Sequence, residues 1–140
     1  MPPRADPLTL EVVELIGAVV ARHHEEYERA AAGHGLTGAQ ARVLSLLARE
    51  PLPMRRIAHQ LKCEPSNITG IVDRLEARGL AERHPDPADR RVKLAAATEE
   101  GLRTAALLRD ALDFAREPLA ALDTADRTAL RDLLRRMLEG

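Results

Sequence analysis

The chain has 140 residues, enough for one modest core, and its 21 Lys and Arg against 22 Asp and Glu leave a formal charge of -1, which by itself does not point to nucleic acid. Hydrophobic residues make up 45%, mostly Ala and Leu; Tyr27 and Phe114 are the only aromatics and there is no Trp, a composition that favours helices over a sandwich or barrel. No apolar run approaches a membrane span, the Pro-rich start (Pro2, Pro3, Pro7) lacks the apolar core of a signal peptide, and the single Cys63 excludes an internal disulfide and fits a reducing cytoplasm.

Leu8, Val12, Leu15, Ile16, Val19 and Val20 recur at helical spacing, and charged residues follow over 22–29, which predicts a long first helix over 8–32 ending at Gly33. That length exceeds what a small core needs, so part of its apolar face is predicted to meet another element or another subunit. Thr37 with Gln40 makes a capping-box pattern that opens a second helix carrying Ala41, Val43, Leu44, Leu46 and Leu47; it stops before Pro51 and Pro53. Residues 54–62 read as a short helix with Ile57, Ala58 and Leu61 inward.

The stretch 64–79 organises the rest. Ile68, Ile71, Val72 and Leu75 would bury one stripe of a helix, leaving Ser66, Asn67, Thr69, Gly70 and Asp73 on the other side. Pro65 suits a first helical position, Glu64 takes the N-cap place where Ser, Thr or Asp would do better, and Gly79 is the C-cap candidate. Small polar groups let a backbone approach another surface closely, and Ser, Thr and Asn at a helix start offer donors and acceptors to base edges and phosphates. Two short helices joined by a tight turn therefore read as a helix-turn-helix whose second helix enters a DNA major groove; the plainer alternative is a capped surface helix. Charge is unevenly placed, since residues 54–93 carry nine Lys or Arg against six Asp or Glu.

Residues 80–84 and 91–97 read as two strands of a hairpin around the turn-rich loop 85–89, with Val92, Leu94 and Ala96 on one side of the second strand and Arg90 and Arg91 at the loop edge. Thr98 can cap a following helix whose positive end suits Glu99 and Glu100; it carries Leu102, Ala105, Ala106, Leu108 and Leu112 and is predicted to end or kink near Pro118. Asp123, with Asp126, opens a last helix through Leu130, Leu133, Leu134, Met137 and Leu138. The fold class is mainly α with a small β-hairpin wing.

This order of elements resembles the MarR family of winged-helix transcriptional regulators over nearly the whole chain. The specific segment is the wing, where Asp89, Arg91 and Thr98 match the family's pattern of Asp, any residue, Arg, five residues, Leu-Thr, with Ala97 in place of the Leu. Leu36-Thr37 with Gln40, and Val72-Asp73-Arg74-Leu75-Glu76 with Gly79-Leu80, are also family-like. The resemblance implies a single 1–140 chain with a winged helix-turn-helix over 36–98 and dimerisation helices over 8–33 and 99–138. It implies a cytoplasmic homodimer on a pseudo-palindromic operator in double-stranded DNA, most often as a repressor. Pro65, Ser66, Asn67 and Thr69 would lie at bases or phosphates, Gly70 would allow close approach, Arg74 would reach a phosphate or brace the wing, and Arg90 or Arg91 would enter the minor groove. Asp89 would orient a wing arginine. It further implies a small-molecule effector, often an aromatic acid, in a crevice that Tyr27 and Phe114 could line.

Other chemistry finds little purchase. No catalytic spacing, phosphate-cradling Gly loop or zinc motif marks an enzyme, and nothing calls for a cofactor. His59 and Cys63 are four apart, but two ligands do not make a metal site, and the reading preferred is an exposed His beside a packed structural thiol. Adjacent His23 and His24 diverge by about 100 degrees on a helix. The alternatives of a different class are a helical dimeric interaction module that has lost DNA binding, and a metal- or thiol-switched regulator.

Overall fold

The computed structural model describes residues 4–112 and 118–140. The first helix, α1 (Pro7–Ala32), starts at an Asp6 cap that accepts from the Thr9 N–H at 2.9 Å; the chain then turns through Gly35, whose φ of +68° suits a residue without a Cβ. Helix α2 (Gly38–Leu47) opens on the expected capping box, with Thr37 Oγ1 accepting from the Gln40 N–H and Gln40 Oε1 accepting from the Thr37 N–H, each at 3.1 Å. Helix α3 (Met54–Leu61) and helix α4 (Pro65–Ala77) follow, joined by a turn in which Lys62 takes the left-handed conformation (φ 53°, ψ 45°) and the Cys63 N–H reaches back to the Ala58 carbonyl at 2.9 Å. Helix α4 ends in the same type of turn. Gly79 has φ +73°, its N–H bonds the Glu76 carbonyl, and the Leu80 N–H bonds the Leu75 carbonyl, each at 2.9 Å.

Three antiparallel strands form the sheet in the order β1 (Leu52–Pro53), β3 (Lys93–Ala97), β2 (Ala81–Pro85). Strand β1 goes beyond the sequence reading, because two residues that include a proline carry no strand pattern. Strand β3 keeps the expected alternation, and the structure adds which side turns inward. Leu94 lies opposite His84 and Pro53, so the residues aimed at the helical core are Ala95, fully buried, and Ala97, while Ala96 lies outside that cluster. Helices α2 and α3 and the helix that follows β3 all contact this strand.

Helix α5 (Glu99–Asp110) begins at Thr98, which holds three segments at once. Its Oγ1 accepts from the Gly101 N–H at 3.1 Å and donates to the Gly79 carbonyl at 2.6 Å, and its N–H bonds the Leu80 carbonyl at 3.1 Å. Within the described residues α5 stops at Asp110, where Arg109, Asp110 and Ala111 are exposed; Phe114 and the approach to the kink expected at Pro118 lie outside the described residues. A 3₁₀ turn (Leu119–Ala121) leads to α6 (Thr124–Glu139).

The core lies between the end of α1 and helices α2 to α5 under the sheet, with Leu44, Ile57, Ile68, Val72 and Leu75 fully buried. The rest of α1 and all of α6 stay outside it. Leu8, Leu15, Val20, Leu133 and Met137 are exposed, and every residue of α6 is exposed.

Candidate nucleic-acid interface

Helix α4 presents two faces of opposite character. Ile68, Val72 and Leu75 are fully buried, and Ser66, Asn67, Thr69, Gly70, Asp73 and Arg74 are exposed. Pro65 occupies the first helical position and no side chain caps the helix, so Glu64 fills the N-cap place without doing its work. The Thr69 hydroxyl donates back to the Pro65 carbonyl at 3.2 Å. A Cβ on Gly70 would meet nothing within 4 Å, so the glycine answers no packing need inside the chain. Ser66, Asn67, Gly70 and Arg74 line an open cleft of about 430 Å³ together with Ala39 at the start of α2.

The wing loop is closed by the Asp86 N–H on the Val92 carbonyl at 2.8 Å and the Val92 N–H on the Asp89 carbonyl at 2.9 Å. Asp89 accepts three bonds from Arg91: from the backbone N–H and Nε at 3.1 Å each, and from Nη2 at 3.4 Å. The Arg91 guanidinium first, and its backbone N–H second, hold the Asp89 carboxyl below its ordinary value of 3.8. Arg90 is exposed and takes no partner among the described residues.

A residue that sequence reasoning passed over joins the two parts. Arg83 of β2 shares the inner strand face with Ala81 and lies over α4, where Nη1 meets Glu76 Oε2 and Nη2 meets Asp73 Oδ1, both at 2.7 Å. Of the two roles expected of Arg74, bracing the wing falls to Arg83. The available signal was the pair Asp73 and Glu76, three apart on one helix, followed across a tight turn by an arginine on the strand's inner side. Arg78 ties the far end of α4 to the loop after α1 by donating to the Gly35 carbonyl at 3.0 Å.

Tyr27 lies elsewhere, in a cavity of about 310 Å³ between α1, α2 and α5 that His23, Ser45, Arg49, Leu108 and Arg109 also line. Its hydroxyl shares a 3.0 Å hydrogen bond with Ser45, and the Arg42 guanidinium sits 5.6 Å from its ring centre. His23 meets Tyr27 edge-on at 6.2 Å, while His24 Nδ1 lies 3.0 Å from Arg42 Nη2. Cys63 departs from the packed thiol expected. The left-handed turn at Lys62 swings it to the surface, where its thiol donates to the Leu61 carbonyl at 3.3 Å. His59 is exposed, and no cluster of three His, Cys, Asp or Glu could hold a metal ion among the described residues.

Comparison with known proteins adds a second line. A family model described as the MarR family matches residues 34–92. The transcriptional repressor NicR of Pseudomonas putida is 31% identical over 137 residues, covering 94% of this chain and 85% of that protein. Among solved structures, CouR of Rhodococcus jostii RHA1 bound to p-coumaroyl-CoA is 31% identical with a TM-score of 0.75, covering 96% of this chain and 95% of that one. A MarR-family regulator of Rhodococcus sp. RHA1 is 30% identical with a TM-score of 0.78, covering 95% and 97%.

Proposed function

Because this chain belongs to the MarR family, and so is a DNA-binding transcriptional regulator and not an enzyme, we propose that it acts as a homodimeric repressor on a pseudo-palindromic operator. Each subunit lays α4 in a major groove and the loop between β2 and β3 along the adjacent minor groove. The observation that carries the reading is the exposed face of small polar residues on α4, a helix with no side-chain cap, together with an exposed Arg90 in the loop between β2 and β3 that has no partner among the described residues. Pro65 sets the helix start, Ser66, Asn67 and Thr69 contact bases or phosphates, Gly70 admits close approach, and Arg74 takes a phosphate. Arg90 enters the minor groove while Asp89 holds Arg91 against the loop.

The winged unit over 36–98 needs its flanking helices for assembly. Helices α1 and α6 carry apolar faces that nothing in the same chain covers among the described residues, and a second copy supplies their partner. The cavity beside Tyr27, with Arg49 and Arg109 in its lining, suits a small anionic aryl or acyl effector that favours one spacing of the two α4 helices. The similar protein CouR is bound to an aryl-acyl thioester, p-coumaroyl-CoA. No described helix is long and apolar enough to cross a membrane, in keeping with a regulator that works on DNA in the cytoplasm.

The test is binding of the purified protein to the intergenic DNA beside its own gene over a salt series, with an R90A/R91A control. Tight, salt-steep and arginine-dependent binding supports the reading. Weak binding, equal on unrelated DNA and unchanged in the control, would remove it.

A further inference from the structure

We propose that Arg83 is a positioning residue for DNA binding: by bridging Asp73 and Glu76 it makes the wing and α4 one rigid reading head, and it neutralises the acid that α4 turns outward. Asp73 lies on the exposed face of α4, with 60% of its side chain accessible, where an uncompensated carboxylate would repel phosphates. Arg83, only 23% exposed, answers that charge with a bond of 2.7 Å, and its other nitrogen answers Glu76 one turn further along. The nitrogen that binds Asp73, Nη2, also lies 3.4 Å from the Thr69 carbonyl, so one guanidinium spans two turns of α4. A planar fork that grips two carboxylates resists rotation in a way an ammonium does not. The strands at the base of the wing are held by the sheet and by α2, α3 and α5 against β3, but its loop is not. Among the described residues, the loop past His84 bonds chiefly to itself, through Asp86, Asp89, Arg91 and Val92. Arg90, at its tip, depends on the strand below for its place relative to α4.

This rests on the reading of Arg90 as a groove contact, and the test separates the two. Operator affinity is measured by fluorescence anisotropy at fixed salt for R90A, R83A and the double variant. In the native background R90A weakens binding about 10-fold, the scale of one base-level contact. In the R83A background the same change costs less than about 2-fold, because the wing no longer holds Arg90 in place. D73N/E76Q, which keeps every side-chain volume, reproduces the loss seen in R83A, and R83K recovers only part of it. Additive losses overturn the proposal, and so does tighter operator binding by D73N, the outcome of simple charge removal. A readout without DNA stands beside these. Hydrogen exchange at the Asp86 and Val92 amides quickens by about 10-fold in R83A while that at Val72 of α4 is unchanged, and equal exchange in both proteins overturns the brace. A silent R90A with quickened wing exchange would remove the groove role of Arg90 and leave the brace standing.

Discussion

Replacing Gly70 by alanine sets folding against binding. Gly70 sits in the interior of α4 with ordinary helical φ, and the new methyl group would meet nothing within 4 Å. Alanine in a helix interior is favoured over glycine by about 1 kcal/mol, because the unfolded chain loses freedom that the folded chain never had. For a protein of this size that raises Tm by roughly 2–4 °C at constant protomer concentration. If the bare backbone at residue 70 exists to lie against a groove, the same methyl displaces the helix from its operator and binding weakens by about 10-fold, or ~1.4 kcal/mol. Thermal melts by circular dichroism and anisotropy titrations at one salt concentration measure the two halves. A raised Tm with unaltered operator affinity would refute the assignment of Gly70 to close approach. A lowered Tm would refute the premise that the space above it is open.

Three further outcomes follow from the geometry. K62G relieves a side chain held in the left-handed region and raises stability by about 0.5–1 kcal/mol in urea unfolding, glycine's own entropy cost offsetting part of the relief; no gain would mean the turn carries no strain. G101A drives a Cβ into the Leu80 carbonyl oxygen, a backbone atom that cannot swing away, and is expected to cost at least about 2 kcal/mol by the same measurement, whereas a native-like midpoint would contradict that contact. Because Arg91 lowers the Asp89 pKa, the stabilising contact is fully present above the ordinary value of 3.8 and is lost only as pH falls through a lower one; a carboxyl NMR titration should place the midpoint below 3.8 and R91A should return it upward, and a midpoint at or above 3.8 in the native protein would sink this account.

Legibility followed the range of the interaction. The capping box at Thr37 and Gln40, the left-handed Gly79 and the buried stripe of α4 are written in residues three or four apart, and each stands in the structure where spacing put it. The contacts between segments were harder to read. The inner face of β3 is set by Ala95 and Ala97 because helices press close there, while hydropathy favours Leu94, and only the pairing with His84 and Pro53 fixes the register. Cys63 is small and apolar, yet a left-handed lysine one residue earlier decides that it faces out. At the interface, the residue types of α4 were legible from local spacing and the Asp89–Arg91 pair from the family resemblance, whereas Arg83 was not, since its partners lie 7 and 10 residues back across a reversal of the chain.

The anchorage of Thr98 turns α5 into a lever. Its fulcrum is the junction where the Thr98 hydroxyl and N–H grip Gly79 and Leu80, the residues that close α4, and where Gly101 lets the helix rest directly on the Leu80 carbonyl. Its long arm runs past Ala105, Leu108 and Arg109 along the wall of the Tyr27 cavity. On the proposed effector reading, a molecule wedged in this cavity would push on the arm, and the hydrogen bonds at the fulcrum would carry the displacement as torque to the end of α4.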